Sequence, residues 1–138
     1  MIKKALFNIS LLAFGGAGYA GLEILWRGYT HWTMALCGGI CLVLLRMIDR
    51  YMKKWNILKK SAAGCVAITA VEFIAGCIVN LAFGLNVWNY SGMPGNVLGQ
   101  ICLPFMLVWF ILCIAVFSVM ALVRRVRKIQ RIRSTVLE

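Results

Sequence analysis

Residues 61–85 read SAAGCVAITAVEFIAGCIVNLAFGL, an apolar run broken by a single charged side chain, Glu72. As a helix rising about 1.5 Å per residue, such a run is about 37 Å long and outreaches the roughly 30 Å hydrocarbon core of a bilayer. It therefore reads as a transmembrane helix. Three more runs, 5–26, 31–48 and 97–122, meet the same length requirement of about 20 residues, the second being the shortest. The expected fold is an all-α membrane protein, a four-transmembrane-helix bundle spanning residues 1–123, followed by a basic cytoplasmic tail over 124–138.

The whole composition agrees. Of 138 residues, 62% are hydrophobic, more than a soluble fold of this size can bury, so lipid is part of the solvent. Four spans and their connections use nearly the whole length and leave no space for a soluble catalytic domain. The net charge of +11 would suggest nucleic acid in a soluble protein. Here the basic residues flank the apolar runs and set topology instead, so no nucleic-acid partner is expected.

Counted segment by segment, fourteen of the fifteen Lys and Arg residues fall on one side. Lys3 and Lys4 precede the first span, Arg46, Arg50, Lys53, Lys54, Lys59 and Lys60 surround the second turn, and six more from Arg124 to Arg133 follow the fourth span; Arg27 alone lies opposite. The positive-inside rule then places the N and C termini and the 49–60 loop in the cytoplasm, with 27–30 and 86–96 outside. Trp26, Tyr29, Trp32, Trp88 and Tyr90 read as anchors at the outer boundary, and Tyr51 and Trp55 at the inner one. The first run resembles a signal peptide in its basic start, but its apolar stretch continues to Trp26 and reads as a retained span. The basic tail is expected to lie among anionic lipid headgroups.

All six cysteines lie inside the apolar runs, without a CxxC pair or a neighbouring His, and read as small packing residues; neither a metal nor a cofactor is expected. Small residues at Gly15, Gly16, Gly18, Gly38 and Gly39 mark places for close helix packing.

Polar side chains inside the spans carry the functional information, because each is costly unless it has a partner or lines a wet cavity. Glu72 lies near the middle of the third run, and Thr69, Glu72, Gly76 and Asn80 form one stripe at steps of three and four. That stripe should face the bundle interior. Glu23 and Arg27 are spaced for an i, i+4 ion pair; His31 begins the second helix; Asn96 and Gln100, again four apart, open the fourth and are expected to join it to the cluster. Under the expected topology these residues gather in the outer half of the bundle, the inner half lacking a polar centre. An outward-facing pocket formed by Glu72, Glu23, Arg27, His31, Asn80, Asn96 and Gln100 follows, capped by the turn-rich 86–96 loop with Gly92, Pro94 and Gly95.

The stretches from Glu23 to Trp32, Gly38-Gly39, Glu72 to Asn80, Asn86 to Ser91 and Asn96 to Cys102, in that order over about residues 20–115, resemble the CmpB-type family of small bacterial membrane proteins, known as type IV ABC transporters, which has animal relatives among transmembrane proteins. The resemblance implies a multi-pass protein of the cytoplasmic membrane and a permease role. The chain has no GxxxxGK[ST] phosphate loop, so an ABC role requires a separate ATPase. Four spans are few for alternating access, so transport implies a homodimer or a larger assembly.

The expected function is that of a transporter or ligand-binding component for a cationic or amine-bearing solute or a proton, with Glu72 and Glu23 as the binding acids and Asn80 and Gln100 orienting the ligand. One alternative is a membrane-embedded enzyme acting on a lipid headgroup, with Glu72 or His31 as base and Arg27 holding a phosphate. Against it, the chain carries no Ser/His/Asp set, metal triad or aspartate-rich motif. The other is a non-catalytic accessory subunit whose polar cluster only locks the helices.

Overall fold

The computed structural model describes residues 2–136 and the side chains from Ala5 to Thr135; the charges of Lys3 and Lys4 and the last two residues of the expected tail lie outside the described residues. Four helices form in chain order: α1 (Ile2–Arg27), α2 (Trp32–Tyr51), α3 (Ile57–Gly76) and α4 (Leu103–Val136), with α3 prolonged by a π-helical turn, Cys77–Ala82. Each is long and apolar enough to cross a membrane, and the described residues contain no strand.

Local chemistry sets the helix ends. His31, extended at φ −122°, is the N-cap of α2, and its ring nitrogen accepts from the Thr33 N–H at 3.4 Å. Asn56 caps α3 by accepting from the Lys59 N–H at 2.9 Å. The linker between α2 and α3 thus shrinks to 52–56, and Lys59 and Lys60 belong to the first turn of α3.

The fourth helix begins at Leu103 rather than at 97, and Asn96 and Gln100 precede it instead of opening it. Gly95, Leu98 and Gly99 all take left-handed φ values, from +52° to +67°, which a right-handed helix cannot contain. The Asn96 side chain also competes for local backbone, donating to the carbonyls of Ser91 and Met93 and accepting from the Gly99 N–H. At the other end α4 runs on to Val136. Its 34 residues span about 51 Å, so roughly 20 Å of helix extends past a 30 Å core. That extension, from Leu122 on, is exposed on all sides.

Helix packing follows side-chain size. On α1 and α2, a Cβ added at Gly15 would lie 2.8 Å from the Gly38 carbonyl oxygen, and one at Gly16 would lie 2.7 Å from that of Ala35. Only glycine permits that backbone approach. The core joins α2, α3 and α4 through Leu45, Cys65, Ile68, Trp109, Cys113 and Phe117. Gly64 is its counterpart on α3: a Cβ there would meet Leu45 Cδ2 at 2.6 Å and Cys113 Sγ at 2.8 Å. Cys65, Cys102 and Cys113 are buried packing thiols, as the apolar context implied, and Cys65 also donates to the Met106 carbonyl at 3.1 Å.

The end of the bundle near Asn56 is not apolar throughout. Lys60 is buried and donates to Asp49 Oδ1 at 2.8 Å, while Arg124 of α4 reaches Asp49 Oδ2, so one carboxylate ties α2, α3 and α4 together. The sequence reading left this half without a polar centre because Asp49 sits among basic residues and looks like surface. The fold turns it inward, where Lys60 must have a partner.

Candidate functional site

The stripe on α3 turns inward: Thr69, Glu72, Gly76 and Asn80 are all buried. Glu72 is 6% exposed, and its two carboxylate oxygens accept from different elements. Tyr90 Oη, from the connection between α3 and α4, donates to Oε1 at 2.9 Å, and Trp109 Nε1, from α4, donates to Oε2 at 2.9 Å. Neither donor carries charge. Of the three acidic residues whose side chains are described, Glu23 and Asp49 have cationic partners and Glu72 has none. Tyr90 stacks on Phe105, ring centres 4.7 Å apart, and Phe105 lies against Trp109, so aromatic faces hold both donors in place. Burial and the facing Glu72 carboxylate push the Tyr90 phenol far above its ordinary range, which keeps it a donor.

Beside Glu72 lies a cavity of about 20 Å³ walled by Tyr19, Cys37, Cys41, Ile68 and Trp109 among others. That volume accepts about one water-sized group. It is a mostly apolar niche with Glu72 in its wall, smaller than the multi-residue pocket the sequence suggested.

The remaining polar residues form three further groups. In the first, Asn80 and Gln100 meet directly, with Asn80 Nδ2 donating to Gln100 Oε1 at 2.8 Å. Asn80 also donates to the Trp88 carbonyl and accepts from the Val87 N–H, while the Trp88 indole donates to the Gln100 carbonyl at 3.0 Å. Gly76 makes space for this: a Cβ there would sit 2.5 Å from Gln100 Oε1. The amides thereby stitch the connecting segment to the π turn of α3. Trp88, expected as an outer anchor, is instead 6% exposed and packs inward, because its indole N–H finds an acceptor within this network.

In the second group, Glu23 and Arg27 form the i, i+4 ion pair at 2.7 Å. Thr30 donates to the other Glu23 oxygen, and Arg27 donates to the Val87 carbonyl at 2.9 Å while lying over the Tyr29 ring. Arg27 Nε is buried with no acceptor among the described residues. The third group is local. His31 is shared between its capping role and a 2.8 Å contact with Thr33 Oγ1, and Asn96 bonds only its own loop.

No hydrogen bond among the described residues links Glu72 to Glu23, Arg27, His31, Asn80, Asn96 or Gln100. Sequence reasoning missed Tyr90 and Trp109, the residues that hold the carboxylate, since both look like interface aromatics or lipid-facing bulk. Their signal was present only as polar tips on large rings. No curated protein and no solved structure matches the chain. The sequence model of the family described as "Putative ABC-transporter type IV" covers residues 23–137, from Glu23 of the ion pair through the basic end of α4, and the chain belongs to that family.

Proposed function

We propose that the chain is the membrane-embedded component of a transport system and that Glu72 is its cation-binding group, taking up a proton or the ammonium group of an amine. One observation carries the reading: a buried carboxylate without a cationic partner, held by two neutral donors beside a space for one small group. A buried acid is costly at membrane depth, and an amide would lock helices at lower cost, so the vacant charge points to a ligand. Glu23 and Arg27 neutralise each other and support the outer connection. In this reading they are structural, as are Asn80, Gln100, Asn96 and His31.

The basic segments orient the chain with both termini and the 52–56 linker in the cytoplasm, in the plasma membrane. The exposed arginines and lysines of the α4 extension then meet anionic headgroups. A separate ATPase would dock on that face, and a homodimer would supply the second half of an alternating-access unit.

The test is calorimetric titration of the full chain in lipid nanodiscs with methylammonium. Saturable binding that disappears in Glu72→Gln, with helicity retained, is expected. Identical titrations in both proteins would remove Glu72 from the mechanism and favour the accessory role, in which the saturated Asn80–Gln100 network is the purpose of the polar cluster.

A further inference from the structure

A second, larger space lies on the lipid-facing side of the bundle. It is a groove of about 430 Å³ between α2 and α3, bordered by Trp32, Leu36 and Ile40 on one side and Ile74, Ile78 and Phe83 on the other. No charged side chain lines it. The volume falls within the range of small-molecule sites, roughly 300–1,000 Å³. From Trp32 to Ile40 the groove follows α2 for about 12 Å, close to the roughly 15 Å depth of one leaflet. Its shape therefore suits the apolar body of a molecule already dissolved in the bilayer.

The groove and the niche beside Glu72 share two wall residues, Cys37 and Val71. These two small side chains border both spaces. On the side of the connecting segment, Tyr90 covers Glu72 directly, and Trp88, Asn80 and Gln100 close the way with four more hydrogen bonds. Opening that side breaks polar bonds in an apolar setting, whereas displacing Cys37 and Val71 costs dispersion contacts that an apolar ligand replaces.

We infer that Glu72 is reached sideways from the membrane and that the ligand is an amphiphilic primary amine, its apolar body in the α2–α3 groove and its ammonium group in the niche. This rests on the reading of Glu72 as a cation site. The niche sets the head group. A space for one water admits –NH3+ but not a trimethylammonium group, and the groove provides the contacts that favour a long apolar body.

The inference is tested with the full chain in nanodiscs, against empty nanodiscs to remove partitioning, using methylamine, dodecylamine and dodecyltrimethylammonium. Dodecylamine is expected to bind at least tenfold more tightly than either of the others. Val71→Phe, which fills the passage and also borders the niche, should weaken dodecylamine at least tenfold. Ile74→Trp repeats the test at a position 60% exposed, where added bulk obstructs the groove without entering the core. If dodecylamine and dodecyltrimethylammonium bind alike, or if neither substitution changes dodecylamine binding, the lateral route is wrong while the cation site stands. If binding of every amine is unchanged in Glu72→Gln, the cation reading fails and this inference falls with it.

Discussion

Trp109 of α4 donates its indole N–H to Glu72 Oε2 of α3 across 2.9 Å, and both residues are buried. The bond thus couples the packing of two helices to the state of one carboxylate. Replacing Trp109 by Phe keeps an aromatic in the core and removes only the donor and some volume. A hydrogen bond to a charged group contributes about 1.5–3 kcal/mol, so Trp109→Phe should destabilise the bundle by roughly 2 kcal/mol in an equilibrium unfolding measurement in mixed micelles. Glu72→Gln, which keeps an acceptor for the indole, should cost less than that.

Asn80 serves three partners at once, and an apolar residue of similar size serves none. Asn80→Leu should leave the Val87 N–H, the Trp88 carbonyl and the Gln100 side chain without their partner. A stability loss of about 3 kcal/mol is expected, with release of the connecting segment. Limited proteolysis within 83–102 should then become faster in the variant, while cleavage in the 52–56 linker stays the same. Equal cleavage of the connecting segment in both proteins would show that the amide network does not hold it.

Asp49 provides a contrast between a broken and a replaced ion pair. Asp49→Asn leaves the buried Lys60 ammonium without its counter-charge and should cost about 3–5 kcal/mol. The double change Asp49→Leu with Lys60→Met should recover most of this, because a matched apolar pair removes the uncompensated charge. Arg124, half exposed, should cost at most about 1 kcal/mol when changed to Ala. Thermal melting of the three variants in one detergent separates these cases.

Glycines within the helices should differ sharply. Gly64→Val drives a side chain into Leu45 and Cys113 and should destabilise by about 1–3 kcal/mol or more. Gly18, with open space where a Cβ would stand, should tolerate Ala and gain up to about 1 kcal/mol in helix propensity. A Gly18→Ala variant as damaged as Gly64→Val would mean that the Gly18 face of α1 packs against a further partner.

The orientation argued from charge has its own check. In a cysteine-free background, a thiol placed at Ser91 should react with an impermeant maleimide added outside intact cells, and one placed at Ser134 only after permeabilisation. The reverse pattern would invert the topology.

A bundle of four long apolar helices was legible in the chain, because a run such as 61–85 has no other low-energy state in a bilayer and its length is dictated by the membrane. The chain also determined that Glu72 lies on one face with Thr69, Gly76 and Asn80, since helical periodicity leaves no alternative. The Glu23–Arg27 pair, four residues apart on one helix, was legible for the same reason. Which polar groups meet across elements depends instead on the packing of the helices. Tyr90 and Trp109 on Glu72, Lys60 and Arg124 on Asp49, and Trp88 turned inward all depend on how distant segments pack, and left-handed turns at Gly95, Leu98 and Gly99 took Asn96 and Gln100 off the helix they were expected to begin. Periodicity is a local property of the chain, whereas a hydrogen bond between residues 37 positions apart exists only once packing has placed donor and acceptor within 3 Å.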